Sequence, residues 1–184
     1  MQKISKNTIY FRLPGPIFFN KYKHKEEFLK KNTRGHGIVL TSCLNLLVAI
    51  PLRSSLNPKM KEKAHIYPYK VFTKNGKQYL KGLDFSKLLI ISKSDLQGSS
   101  GYVFQDNDEK KFYIKNFNNI ITRLNNYITG YINMCARIEN NQDVSRTQLK
   151  LYRYSTIRNF HSDLKINISK NDVVKLLKRY HLYK

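Results

Sequence analysis

The chain has 184 residues, with 34 Lys+Arg against 12 Asp+Glu and a formal net charge of +22. An apolar share of 41%, with 13 Tyr and 10 Phe, is too high for a disordered basic tail, and no apolar run reaches the ~20 residues a membrane helix needs. The start, MQKISKNTIYF, lacks the apolar region of a signal peptide, and Cys43 and Cys135 make neither a disulfide framework nor a zinc pattern. One domain over residues 1–184 is expected, placed in the cytoplasm, with a β-rich core over about 8–104 and a helical part over about 106–184. Of the 34 basic residues, 18 lie in residues 1–92, so the charge belongs to the folded body and not to a severable end. Such a field attracts a polyanion, and nucleic acid is the first expectation. An anionic membrane is the weaker alternative, because no Trp-bearing amphipathic helix is evident.

Thr8–Leu13 alternates as a short strand, and Pro14-Gly15-Pro16 breaks it. Apolar spacing from Ile17 to Leu29 predicts a helix over 17–30. Gly37–Thr41 and Leu46–Leu52 read as an antiparallel hairpin, with Pro51 tolerable only at the end of its second strand. Residues 53–65 read as a polar loop. Tyr67–Thr73 and Gln78–Leu83 flank Asn75-Gly76, a strong hairpin signal. Leu88–Ile91 predicts a buried strand, 92–101 a loop, and Tyr102–Phe104 one more short strand.

The stripe Phe117, Ile120, Ile121, Leu124, Tyr127, Ile128, Tyr131, Met134, Cys135 and Ile138 has helical spacing. It predicts one long amphipathic helix over about 108–138, with Asp106 to Glu109 as its acidic start. A basic segment, 146–158, and a last helix over about 170–181 opened by Ser169-Lys170-Asn171-Asp172 follow a linker at 140–145. Strands first and helices after them give an α+β fold class.

No Gly-rich phosphate loop, HExxH or GxSxG motif occurs. Asp106, Asp108 and Glu109 are the only dense carboxylates and read better as helix-start acids than as a metal site. No metal and no cofactor are expected. The first hairpin should bring Arg34 and His36, before its first strand, beside Arg53, Ser54 and Ser55, after its second. Two guanidiniums, an imidazole and two hydroxyls suit a phosphodiester, and metal-free RNA cleavage needs a base, cations for the phosphorane and an acid for the leaving oxygen. Exposed arginines at a strand end, with serines in a turn, are the ordinary alternative. Lys81 and Lys87 flank Gly82-Leu83-Asp84-Phe85-Ser86 and could face an RNA backbone, or be solvated. Tyr67, Tyr69, Tyr79, Tyr152 and Tyr154 alternate with basic residues and could stack on unpaired bases, or pack on half-buried faces. Tyr22, Lys31, Lys81, Lys87, Arg146 and Arg153 are the candidate RNA contacts.

In order, Phe18-Phe19-Asn20-Lys21-Tyr22, Phe28 to Arg34, Gly37-Ile38-Val39-Leu40, Ala49-Ile50-Pro51-Leu52-Arg53-Ser54-Ser55, Lys81-Gly82-Leu83-Asp84-Phe85-Ser86-Lys87, and Tyr127-Ile128 with Tyr131 resemble the ToxN/AbiQ toxins of type III toxin–antitoxin systems, especially the TenpN/CptN-like branch. The resemblance spans roughly residues 8–135, and the Ile-Pro-Leu-Arg-Ser and Gly-Leu-Asp-Phe-Ser-Lys blocks are its most specific part. It implies a compact, highly twisted antiparallel β core with flanking helices. It also implies a metal-independent endoribonuclease leaving a 2′,3′-cyclic phosphate and a 5′-hydroxyl. The implied partners are cellular or phage mRNA and a pseudoknot-repeat RNA antitoxin, which the toxin processes and holds in a cyclic or extended assembly. Growth arrest or abortive phage infection is the implied outcome, and a non-catalytic basic RNA-binding module is the alternative. By resemblance Ser54, with Arg53 and Ser55 beside it, takes the Ser/Thr position after the second core strand, Arg34 takes the basic position before the first, and the N-terminal aromatic is one of Phe18, Phe19 and Tyr22. Many relatives carry Arg-Pro-Tyr where this chain has Arg34-Gly35-His36, and a His where it has Asn57-Pro58-Lys59. His36, His65 and Lys59 are the candidates for the missing acid and base.

Overall fold

The structure, a computed structural model, describes residues 9–28 and 37–183. Arg34, His36 and Lys31 lie outside the described residues. Among the described residues, seven strands form one antiparallel sheet in the order β4-β5-β3-β2-β1-β7, with β6 pairing β3 on the edge it shares with β5. They are β1 (Tyr10–Leu13), β2 (Ile38–Cys43), β3 (Leu46–Leu56), β4 (Ile66–Lys74), β5 (Lys77–Asp84), β6 (Leu89–Ile91) and β7 (Ser100–Gly101). The helices are α1 (Pro16–Tyr22), α2 (Asn107–Lys115), α3 (Phe117–Glu139), α4 (Arg146–Tyr152) and α5 (Lys170–Arg179). This is the expected α+β class.

β3 organises the sheet. It runs four residues past the predicted end of the hairpin, so Arg53, Ser54 and Ser55 lie in a strand and not in a loop. Pro51 sits inside it, opposite Ile38. Leu52 donates its N–H to Gly37 on the β2 side, so the donor that Pro51 lacks would point to the other edge. That edge is between partners there. β6 pairing ends at Ala49↔Leu89, and β5 pairing begins at Leu52↔Leu83. The proline therefore removes no ladder bond.

β4 and β5 form the predicted hairpin, closed by the two-residue turn Asn75-Gly76. Gly82 on β5 faces Arg53 on one side and Pro68 on the other, and both neighbours bulge next to it. A Cβ on Gly82 would lie 2.4 Å from the Tyr67 carbonyl oxygen. Gly82→Ala is therefore expected to lower stability by about 1–3 kcal/mol, read as a shift in the denaturant midpoint at unchanged slope. An unshifted midpoint would mean that the strands do not approach this closely.

The long helix expected over about 108–138 is two helices, α2 and α3. The break is Asn116 (φ −96°, ψ 16°), whose side-chain amide and backbone N–H both donate to the Phe112 carbonyl, at 2.8 and 3.0 Å. This local bond competes with the next helical turn. The apolar stripe continues across the break, and Ile120, Leu124, Tyr127, Ile128, Tyr131, Met134 and Cys135 are buried. Gly130 is a close-approach site: a Cβ there would lie 2.7 Å from the Tyr152 hydroxyl, which donates to the Tyr127 carbonyl at 2.8 Å. One hydrophobic cluster runs from β2 and β3 through α3 to α4 and α5. The expected helix over 17–30 covers only 16–22 of the described residues, and Tyr102–Phe104 is not a strand. The segment 146–158 divides into α4 and a 3₁₀ turn at Thr156–Asn159.

Tyr22 is part of the core, 2% exposed, with its hydroxyl donating to Asp95 at 2.7 Å. It is not placed to stack on a base, which corrects its assignment as an RNA contact. Burial pushes the Asp95 carboxyl up, but bonds from Lys21, Ser92 and Tyr22 outweigh it and hold its pKa at about 2, against an ordinary 3.8. A depressed folded-state pKa stabilises above the unfolded value, and this stability is lost as pH falls from about 4 toward about 2. Asp95 is expected to contribute about 2 kcal/mol at neutral pH. Asp95→Asn should flatten the pH dependence of urea stability across that window, and an unchanged pH profile would count against these bonds to Asp95.

Candidate nucleic-acid groove

A groove of 840 Å³ lies between the β4–β5 hairpin and the chain entering α2. Arg53, Ser54 and Ser55 of β3 line it. Lys70, Phe72 and Lys74 of β4, with Tyr79 and Lys81 of β5, form one wall, and Tyr102, Val103, Gln105 and Glu109 the other. Gly37 and Leu52 also line the groove.

The hairpin wall follows from strand periodicity. Residues 70, 72 and 74 share a face, and their cross-strand partners are Lys81, Tyr79 and Lys77. Two lysine pairs thus flank an aromatic pair, Phe72 and Tyr79, whose ring centroids are 5.8 Å apart. Like charges directly opposite each other destabilise a hairpin.

Acids partly offset that repulsion. Lys81 Nζ donates to Glu109 Oε2 at 3.2 Å, and Lys70 Nζ to Asp106 Oδ2 at 2.5 Å. The Lys70 bond, with help from Tyr69 and the first backbone amides of α2, holds the Asp106 carboxyl down at about 2. Arg53 donates to Asp84 Oδ2 at 3.1 Å, while Asp84 Oδ1 accepts from the Ser86 amide at 3.1 Å and its hydroxyl at 2.6 Å. Asp84 is buried, so the Arg53 guanidinium is anchored where it lines the groove. Among the described residues, Lys74 is the lining cation with no carboxylate partner.

Ser54 and Ser55 are both exposed, although consecutive strand residues point to opposite faces. The β3–β5 register slips between Arg53 and Leu56, and this bulge re-aims the two hydroxyls.

Arg53, Ser54 and Ser55 thus share one lining with Lys81, a separate candidate in the sequence, while their expected neighbours Arg34 and His36 lie outside the described residues. Other candidates are elsewhere. Lys59 is exposed in the 3₁₀ turn Pro58–Met60, outside the groove lining. His65 does not line the groove either. It is half-buried near Asp84, and burial holds its pKa below the usual histidine value against a smaller upward pull from Asp84. Lys87 donates to Glu27 at 3.0 Å and to the Tyr154 carbonyl at 2.7 Å, a tether between segments outside the groove lining. Arg146 opens α4, and Arg153 lies over the Tyr154 ring at 4.6 Å, neither of them in the groove lining. Of the five candidate stacking tyrosines only Tyr79 lines the groove; Tyr67 and Tyr152 are buried, and Tyr69 bonds Asp106.

Lys70, Phe72, Lys74, Tyr102 and Glu109 were not among the candidates from the sequence. The period-2 pattern Lys70, Phe72, Lys74 was a readable signal; Glu109 reaches the groove only through the tertiary fold. No described helix is long and apolar enough to cross a membrane. No family model matches the chain, and no curated protein or solved structure matches it significantly.

Proposed function

We propose that this groove binds RNA and cleaves it without a metal, through attack of a ribose 2′-oxygen on the adjacent phosphorus. The observation that carries this reading is the meeting of Arg53 and two bulge-exposed serines with three lysines, Lys70, Lys74 and Lys81, around an aromatic pair. The lysines meet phosphates, and the Phe72–Tyr79 pair offers a face to unpaired bases. Arg53 stabilises the charge that develops on the phosphorane, and Ser54 contacts the 2′-hydroxyl. The products are a 2′,3′-cyclic phosphate and a 5′-hydroxyl. By resemblance Arg34 would clamp the phosphate; it lies outside the described residues.

The ToxN/AbiQ-like residue order supports a wider reading. The chain would act as the toxin of a type III system, held inactive by a repeated pseudoknot RNA that it processes, in a cytoplasmic protein–RNA assembly. A short tandem-repeat array immediately upstream of the gene is the genomic signature this reading requires.

Labelled RNA incubated with the purified protein in EDTA tests the chemical proposal. Cleavage supports it. Tight, salt-dependent binding with intact RNA would favour the second reading, a non-catalytic RNA-binding module. One observation favours that module: Arg53, Lys70 and Lys81 already hold carboxylates, so the groove is preset to bind by ion exchange.

A further inference from the structure

Metal-free RNA cleavage needs a group that takes the 2′-hydroxyl proton. Among the described residues lining the groove, Glu109 is the only carboxylate and none is a histidine. Tyr102 is no substitute near neutral pH, because burial and then Glu109 push its pKa up. We propose, resting on the ribonuclease reading, that Glu109 is the general base of this groove.

Helix capping does not account for Glu109. The cap of α2 is Asp106, whose Oδ1 accepts from the amides of Asp108 and Glu109 at 3.0 and 3.4 Å. Asp108, 82% exposed, adds negative charge to the same first turn. Glu109 instead is 9% exposed and turned to the groove, with Oε2 on Lys81 and Oε1 accepting from Tyr113 at 3.4 Å. The Tyr113 ring is fully buried and fixes that side of the carboxylate.

Lys81 makes the base responsive to substrate. A phosphate entering the groove competes for the Lys81 ammonium and frees Oε2. Glu109 then takes the 2′-hydroxyl proton as the 2′-oxygen bonds to phosphorus. The phosphorus–O5′ bond breaks, and the 5′-oxygen takes a proton from solvent. Glu109 returns its proton to solvent, so the reaction needs no co-reactant. Lys81 and Arg53 face the growing phosphorane charge.

The experiment compares wild type, Glu109→Gln and Asp108→Asn for RNA cleavage in EDTA and for RNA affinity at fixed salt. Glu109→Gln is expected to cut at least about 100-fold more slowly. It should bind RNA as tightly as wild type or more tightly, because a negative charge leaves the groove. Asp108→Asn should match wild type in both. Cleavage by Glu109→Gln within threefold of wild type overturns the proposal and leaves the ribonuclease reading standing. A parallel loss of cleavage and affinity, with a lowered melting temperature, also overturns it and makes Glu109 structural. A wild-type protein that binds but does not cut removes the ribonuclease reading, and this proposal with it.

Discussion

Arg53→Ala is expected to slow RNA cleavage by about 10²–10³-fold, the usual effect of removing one preorganised donor from a developing oxyanion. Arg53 is well suited to this. Asp84 anchors its guanidinium, and Asp84 is itself fixed by two bonds from Ser86. The alanine variant leaves the buried Asp84 carboxylate without its cation, which costs stability as well as rate. Arg53→Lys separates the two effects. It restores a charge near Asp84 but not the planar fork that grips a phosphate, so it should recover most of the melting temperature and little of the rate. Ser54→Ala should cost about 10–100-fold through one lost bond to a reacting group, at near-native stability, since its side chain is exposed. Full activity in both alanine variants would remove these residues from the reaction.

The second large effect is on salt dependence. A single strand releases counterions with a slope of about −0.7 per phosphate neutralised. The four cations of the groove, Arg53, Lys70, Lys74 and Lys81, set a limit of about −3 for a short strand lying in it. Affinity would then fall about fiftyfold between 50 and 200 mM salt. Asp84, Asp106 and Glu109 act as fixed counterions, so the slope should lie between this limit and the −0.7 or so of Lys74 alone. Lys74→Ala should flatten it by about 0.7. A slope on a short strand well beyond −3 would place binding outside the groove. A longer structured RNA is expected to exceed that value, because most of the 34 basic residues lie elsewhere on the chain.

Much of this arrangement was legible in the chain. Asn75-Gly76 between alternating runs gave the hairpin that becomes the groove wall, and the α3 stripe gave the helix that covers the core. Arg53-Ser54-Ser55 was legible as a cluster but not as a strand. Pro51 argued for an ending, and only the exchange of β6 for β5 along one edge of β3 explains why the strand continues. The helix break at Asn116 was hidden because one local bond interrupts the backbone without shifting the apolar period. Tyr22 and Lys87 looked like surface contacts by type and neighbourhood, yet their partners, Asp95 and the Glu27–Tyr154 pair, are far off in sequence. Glu109 is the reverse case. Its position beside Asp106 and Asp108 gave it an ordinary role at a helix start, and the fold turned it toward Lys81.

The most direct test of the central claim is the chemistry of the ends. RNA cut by the purified protein in EDTA should carry 2′,3′-cyclic phosphates on the upstream fragments and 5′-hydroxyls on the downstream ones. Such 5′ ends accept phosphate from a polynucleotide kinase without prior phosphatase treatment. Fragments bearing 5′-phosphates and free 3′-hydroxyls, or cleavage that stops when divalent ions are removed, would contradict a 2′-oxygen attack in this groove.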